Sequence, residues 1–128
     1  MKTTGTIILS VIVAAAALAP ASAPAKRGDD GRRVAGTCTG SATSKLKVKH
    51  DDGRIETEFE VDQNRNGVRW KVVLRRNGRV AVRTSARTHA PSGSFSVERR
   101  LADGPGTDRI TARATSPSGQ VCRASVSV

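Results

Sequence analysis

The stretch SKLKVKHDDGRIETEFEVD, residues 44–62, alternates charged and mostly apolar side chains on both sides of Asp52-Gly53. An Asp-Gly pair between two alternating segments is a strong signal for a two-residue hairpin turn. That turn places three lysines opposite three glutamates on one face. The charged pairs are Lys45–Glu60, Lys47–Glu58 and Lys49–Glu56, and the pairs on the other face are Leu46–Phe59, Val48–Thr57 and His50–Ile55. Because a slip of one residue would destroy both arrangements, the pattern fixes the register of a β-hairpin.

Segments with this period of two follow one another from Val34 onward, and turn signals rich in Gly, Pro and Asn separate them. No segment has the period of a helix. The predicted strands are 33–39, 44–51, 54–62, 68–76, 79–89, 94–101, 109–116 and 121–128. Seven or eight short strands in a chain of this size predict an all-β fold, an antiparallel β-sandwich of immunoglobulin-like or related type.

The next strand is predicted to extend the same sheet through a turn at Asn66-Gly67, which would place Val61 opposite Val72. The only tryptophan, Trp70, would then join the apolar face. Its indole N–H needs a hydrogen-bond partner there, and Gln63 is within reach along the chain.

Three later junctions share one sequence shape, and each is predicted to form a three-residue hairpin loop with Gly in the left-handed conformation. The junctions are 76–78, 91–93 and 117–119. At the last one, Cys122 would face Ala114. At the second one, the pairing conflicts with inward-facing Val80 and Val82, so a bulge or a change of sheet is expected within 83–89.

The first 25 residues are predicted to be a secretory signal peptide. Lys2 precedes an apolar run at 7–18, and small residues follow it. The run is too short to span a bilayer comfortably, so an uncleaved anchor is the weaker alternative. Cleavage is expected after Ala25 rather than Ala23, because Pro24 would otherwise begin the mature chain.

The mature chain has room for one small domain, predicted at 33–128 behind a flexible lead-in at 26–32. Its two cysteines, Cys38 and Cys122, lie near opposite ends of that domain. Export permits a disulfide, and an even number of cysteines makes the pair the expected state. The bond would close the sandwich by joining the first and last strands.

The net charge of +11 is concentrated in the middle of the chain. Residues 63–97 contain eight basic side chains and no acidic one. The residues predicted to form a possible anion-binding surface on two adjacent strands are Arg69, Lys71, Arg75, Arg79, Arg83 and Arg87. Such a surface suits a polyanion such as wall teichoic acid, extracellular DNA or anionic lipid head groups. The alternative is an exposed β-face whose arginines only keep the protein soluble.

No catalytic constellation is visible. The only histidines, His50 and His89, lie at predicted turns, and the chain has no G-x-S-x-G nucleophile motif. The glutamates of the opening hairpin are matched with lysines on an open face, whereas a glycosidase needs an acid of raised pKa. The protein is therefore expected not to be an enzyme, and an unassigned hydrolase that uses either histidine is the third-ranked function.

No cofactor and no metal site are expected. Residues 62–67 match the first half of a calcium loop, but the twelfth position is Val73, which cannot bind a cation. Two histidines and two oxidised cysteines leave no zinc site. The few aromatic residues are all predicted to face inward, so neither carbohydrate stacking nor sequence-specific nucleic-acid binding is expected.

Three segments together resemble small secreted proteins of high-GC actinobacteria. They are RWKVVLRRNGRVAVRT, APSGSFSVERRLADGPGTDRITARA and GQVCRASVSV. The resemblance covers nearly the whole predicted mature chain. It implies lineage and export, and it carries no activity and no site residues.

The sequence thus predicts a non-catalytic binding domain that is secreted or associated with the cell envelope. Its expected partner is an anionic cell-wall polymer or another extracellular protein. The alternative function is a secreted protease inhibitor that presents a surface loop such as 102–108, ADGPGTD.

Overall fold

A computed structural model describes residues 31–128, so the predicted signal peptide and most of the predicted lead-in lie outside the described residues. This part of the chain contains nine strands. They are β1 (Arg32–Ala35), β2 (Thr37–Cys38), β3 (Thr43–Asp51), β4 (Arg54–Asp62), β5 (Arg69–Arg76), β6 (Arg79–Arg87), β7 (Ser94–Ala102), β8 (Arg109–Thr115) and β9 (Val121–Ser127). Within residues 31–128 there is no helix long and apolar enough to cross a membrane.

The strands form two antiparallel sheets that enclose one apolar core. The four-stranded sheet has the order β1-β3-β4-β7, and the five-stranded sheet has the order β2-β9-β8-β5-β6. The predicted all-β, sandwich-like fold is confirmed. Both sheets contribute to the core, whose largest fully buried side chains include Trp70, Phe59, Leu46, Ile55 and Leu74.

Trp70 connects the two sheets. It is fully buried on β5, and its ring centroid lies 6.2 Å from that of Phe95 on β7. The indole Nε1 donates to Gln63 Oε1 at 3.1 Å, as predicted. Because truncation of a buried aromatic side chain usually costs about 3 to 5 kcal/mol, this contact contributes strongly to sheet packing.

The opening hairpin has the predicted register. β3 and β4 pair so that Lys47 lies opposite Glu58 and Leu46 lies opposite Phe59. Two of the charged pairs are ion pairs, Lys45–Glu60 at 3.6 Å and Lys49–Glu56 at 3.1 Å. Each exposed cross-strand pair stabilises by only about 0.2 to 1 kcal/mol, so the main effect of these pairs is to fix the register.

The predicted second hairpin at Asn66-Gly67 is wrong. β4 pairs with β7, so Val61 lies opposite Phe95 and not opposite Val72. The chain crosses instead to the other sheet, where β5 lies between β6 and β8. Buried Thr88 hydrogen-bonds the backbone of the crossover loop in place of a strand partner. Both sheets bury one apolar face, so a strand shows the same alternation of apolar and polar side chains in either sheet. The sequence pattern therefore does not indicate which sheet β5 joins.

The predicted first strand, 33–39, is two strands that belong to different sheets. The break is at Gly36, whose N–H donates to the Ser44 carbonyl at 2.9 Å. A Cβ at this position would lie 2.6 Å from the Arg123 carbonyl oxygen. Only glycine therefore lets the chain pass from one sheet to the other here, and nine strands result instead of eight.

The β5–β6 hairpin has a two-residue loop, not the predicted three-residue loop. Asn77 and Gly78 both have positive φ values, 51° and 81°, which gives the tight turn that Asn-Gly favours. Arg76 then pairs with Arg79. An extra residue, Ala81, is accommodated by a register shift next to Arg75.

The other two junctions have different outcomes. At 91–93 the predicted hairpin loop is wrong, because β6 and β7 belong to different sheets and His89 bridges to Ser94. A change of sheet is expected within 83–89. β6 ends at residue 87, and the chain then leaves the five-stranded sheet to form β7 in the other sheet. At 117–119 the three-residue loop is confirmed, and Cys122 lies opposite Ala114.

The predicted disulfide between Cys38 and Cys122 is confirmed. It joins β2 to β9, neighbouring strands of the five-stranded sheet, across a sequence separation of 84 residues. β2 has only two residues, so the covalent bond is a major part of its attachment to the sheet.

Replacement of both Cys38 and Cys122 by alanine is expected to lower the free energy of unfolding by up to about 4.5 kcal/mol, because the unfolded chain is no longer closed into a long loop. Urea unfolding of the two proteins measures this. As a control, a reducing agent should destabilise the natural protein and leave the double variant unaffected. A decrease below about 1 kcal/mol would contradict the prediction.

Candidate anion-binding face

The outer side of the five-stranded sheet is strongly basic. No strand of this sheet contains an aspartate or a glutamate. The basic side chains that alternate with buried or half-buried residues, and therefore lie on the outer side, are Arg69, Lys71, Arg75, Arg83, Arg87, Arg109, Arg113 and Arg123. We call these eight residues the basic face. Arg75 is half-buried and the other seven are exposed.

Five of the six basic residues singled out in the sequence lie on the basic face, and Arg79 does not. Arg79 pairs with Arg76 and shares its side of the sheet, facing the other sheet. There both arginines line a cleft between β6 and β7 together with Arg99. The tight turn at residues 77–78 and the register shift beyond it explain why simple alternation placed Arg79 outward.

Three members of the basic face are not evident from the sequence: Arg109, Arg113 and Arg123. They lie on β8 and β9, in a part of the chain where basic and acidic residues are nearly balanced. Their alternation with buried Ile110, Ala112 and Ala124 was a usable signal for outward side chains. Their proximity to β5 depends on the pairing of β5 with β8, which nothing local in the sequence reveals.

The strand register brings like charges together. Arg113 lies directly opposite Arg123, and Arg69 lies directly opposite Arg87. Directly opposed residues have Cβ atoms about 5 Å apart, and like charges in such pairs destabilise a sheet. The unliganded protein therefore carries an electrostatic cost on this face.

Within the described part of the chain, the basic face has no carboxylate partners. Among residues 31–128, no carboxylate oxygen lies within 4 Å of any of its eight cationic groups. The four-stranded sheet differs, because Lys45, Lys49 and Arg100 all form ion pairs on its outer side. The chain thus pairs several cations of one sheet with carboxylates and leaves all eight cations of the basic face without such partners among residues 31–128.

The loop between β7 and β8 is anchored by a buried carboxylate. Asp108 is 1% exposed, and it accepts hydrogen bonds from Arg76 Nε at 3.0 Å and Asn77 Nδ2 at 2.8 Å. The Arg76 guanidinium holds the pKa of Asp108 below its ordinary value; Asn77 and the Gly104 N–H act in the same direction, and burial opposes them. The tip of the loop, 105–107, remains exposed.

The two histidines have an aspartate and a backbone carbonyl as their hydrogen-bond partners within residues 31–128. His50 Nδ1 lies 2.9 Å from Asp103 Oδ2, and His89 Nδ1 lies 3.3 Å from the Arg87 carbonyl oxygen. Neither ring nitrogen contacts a serine hydroxyl or a thiol within the described residues.

Neither metal ligation nor aromatic stacking has a site on the described surface. Asp62 Oδ1 accepts the Asn64 N–H at 3.0 Å, so the half-motif for calcium forms a local turn. Residues 31–128 contain no group of three or more His, Cys, Asp or Glu side chains that could hold a metal ion. Trp70, Phe59 and Phe95 are all buried, as predicted.

Comparisons with known proteins assign no family. No protein-family model, no curated protein and no solved structure matches the chain. The resemblance to secreted actinobacterial proteins stays a prediction, and function has to be inferred from the residues of the chain itself.

Replacement of Asp108 by asparagine is expected to lower the free energy of unfolding at neutral pH by about 2 kcal/mol, because Arg76 no longer has a charged partner. The folded pKa lies below the unfolded value of about 3.9, so this stabilisation is complete above that value and disappears as the pH falls through the folded pKa.

The free energies of unfolding of the natural protein and Asp108→Asn should therefore converge as the pH falls through the folded pKa of Asp108. Urea unfolding across acidic pH measures this convergence. Asp52→Asn, at an exposed turn, is the matched control and should change little. A difference that stays constant with pH would contradict the assignment.

Proposed function

We propose that this protein is a secreted, non-catalytic domain that binds an anionic polymer of the cell envelope through the basic face. The observation that supports the proposal is the basic face itself: eight cationic side chains on one side of a sheet whose strands contain no acidic residue. The disulfide of a small β-domain is compatible with an extracellular location.

The shape of the surface favours a polymer over a small ligand. The basic face extends over β6, β5, β8 and β9, with neighbouring strands about 4.8 Å apart and alternate residues along a strand about 6.8 Å apart. A chain with repeated negative charges can contact several arginines at once. Each contact is weak, but the counterions released from the polymer make the sum substantial.

The same surface does not favour recognition of bases or sugars. The aromatic side chains of residues 31–128 are buried, so no ring is available for stacking. Contacts to repeated anionic groups, without recognition of a base sequence, are the chemistry that remains. A cell-wall polymer such as a teichoic acid has such groups and is accessible to an exported protein.

We further propose that the sandwich is related to the immunoglobulin-like class. The support is the order β2-β9-β8-β5-β6, which corresponds to A′-G-F-C-C′ of such domains. The connectivity differs in the four-stranded sheet. β3 and β4 form a hairpin within that sheet, where an immunoglobulin-like domain crosses to the other sheet, and β4 separates β3 from β7.

A second candidate function is protease inhibition by the loop 102–108. The observation that favours it is the anchoring of this loop by Asp108 beneath an exposed tip. A loop that is already held in one conformation gives up little entropy on binding. Unlike polymer binding, this activity would be insensitive to moderate salt.

Simultaneous replacement of Arg83, Arg113 and Arg123 by serine is expected to weaken binding to purified teichoic acid about tenfold or more at low salt. The slope of log K against log salt should decrease in magnitude by about 3, because each arginine that is removed neutralises one phosphate in the complex. Titration calorimetry or a pull-down across a salt series measures both quantities.

The matched control replaces Arg33, Arg54 and Arg99 by serine. These residues are exposed on the four-stranded sheet, so the change in net charge is the same. The control should bind nearly as the natural protein does. Equal weakening of both variants, or no binding by the natural protein, would refute the proposal.

If the protein is an inhibitor, Pro105→Ala combined with Thr107→Ala is expected to weaken inhibition of a secreted protease about tenfold, because the side chains at the loop tip that would touch the protease are truncated. A panel of secreted proteases assayed at two salt concentrations measures this. Absence of inhibition by the natural protein, or inhibition abolished by salt, would exclude this candidate.

A further inference from the structure

The basic face contains a shallow recess of about 440 Å³ above strands β8 and β9. Its polar lining consists of three arginines and three hydroxyl side chains: Arg75, Arg113, Arg123, Thr37, Thr111 and Ser125. The register explains this grouping, because two neighbouring rows of paired residues meet here. One row is Arg75–Thr111–Ser125, and the other is Arg113–Arg123–Thr37.

The chemistry of the recess suits a phosphate group. Guanidinium groups bind phosphate oxygens with two parallel hydrogen bonds, and hydroxyls can donate to the remaining oxygens. The residues between the arginines are short, so a ligand can come close to the sheet. Seven of the eight cations of the basic face are arginines, whereas the lysines of β3 lie opposite glutamates. The planar guanidinium of these arginines offers the paired donors that suit a phosphate group, which a lysine ammonium does not.

The opposed pair Arg113–Arg123 independently points to a ligand. The two arginines are direct partners across adjacent strands, both line the recess, and neither has a carboxylate within 4 Å among residues 31–128. This pairing costs stability in the free protein. A group with negative charge between them would convert repulsion into two attractive contacts.

We propose that the recess is a phosphate subsite and that the polymer bound by the basic face is a phosphodiester polymer rather than a polycarboxylate. This inference rests on the proposed function and deepens it by naming the chemical class of the ligand. Polyol phosphates and nucleic acids share this chemistry. Because the described surface has no exposed aromatic side chain, bases add nothing to binding, and a polyol phosphate is the ligand that fits.

The test compares poly(glycerol phosphate), polyglutamate and single-stranded DNA, matched in number of charges and ionic strength. The natural protein is expected to bind poly(glycerol phosphate) about tenfold more tightly than polyglutamate and about as tightly as DNA. Arg113→Lys combined with Arg123→Lys keeps the charge but removes the paired guanidinium donors. The preference of this double variant for poly(glycerol phosphate) over polyglutamate should therefore fall to about twofold or less.

The matched control is Arg69→Lys combined with Arg87→Lys, the other directly opposed pair on the basic face, which lies outside the recess. This variant should change affinity for phosphate and carboxylate polymers by the same factor and so keep the tenfold ratio. An equal fall of the ratio in both double variants would refute the assignment to the recess.

Other outcomes separate the two proposals. Tight but equal binding of phosphate and carboxylate polymers would overturn the phosphate subsite and leave the proposed function standing. Binding of none of the polymers would overturn the proposed function and this inference with it. DNA binding more than about tenfold tighter than poly(glycerol phosphate) would refute the polyol phosphate as the fitting ligand.

Thermal unfolding gives a second readout. Arg123→Ser removes the like-charge pair and should raise the melting temperature of the free protein at low salt by about 1 to 5 °C. Added poly(glycerol phosphate) should then stabilise this variant less than the natural protein. A variant that is destabilised in the free state, or stabilised equally by the polymer, would contradict the proposed role of Arg123.

Discussion

The structure depends on one constraint, the burial of one apolar face of each sheet against the other. Trp70 on β5 and Phe95 on β7 make contact across this interface, and Leu46, Phe59 and Val61 of the four-stranded sheet are fully buried there. Because side chains alternate along a strand, burial of one set directs the other set outward. The composition of both outer faces therefore follows from the core, and any surface function has to use residues in that alternate set.

The outer faces of the two sheets differ in their charged residues. The strands of the four-stranded sheet contain six acidic residues, and its lysines lie opposite glutamates, which fixes a register that apolar contacts alone would specify less well. The strands of the five-stranded sheet contain no acidic residue. Like charges are directly opposed in both sheets, but only in the four-stranded sheet does the same row also contain an opposed lysine and glutamate. On the basic face, a bound polyanion would supply the missing opposite charge.

Two of the local hairpins could be predicted from the sequence, whereas the register of the β5–β6 hairpin and the choice of sheet could not. The hairpins at Asp52-Gly53 and at 117–119 have the predicted registers, because turn residues and alternation specify them within about 20 residues of chain. The crossovers after β4 and β6 could not be predicted from the sequence. A strand with apolar residues at alternate positions can bury them against the core from either sheet. Gly36 divides the first strand because a Cβ there would collide with the Arg123 carbonyl oxygen, a contact that only the folded chain reveals. For the same reason, the sequence revealed the basic residues of β5 and β6 but not those of β8 and β9.

The disulfide also holds part of the candidate site in place. β2 is two residues long and would be weakly held by backbone pairing alone, yet it carries Thr37, which lies opposite Arg123 at the border of the recess. The next pair along the two strands is Cys38–Cys122, where the bond fixes both register and separation. The covalent link thus lies next to the opposed pair Arg113–Arg123, where like charges disfavour strand pairing. The bond that closes the longest loop of the domain thus also holds one wall of the proposed phosphate subsite, so the same feature stabilises the fold and preserves the geometry of the recess.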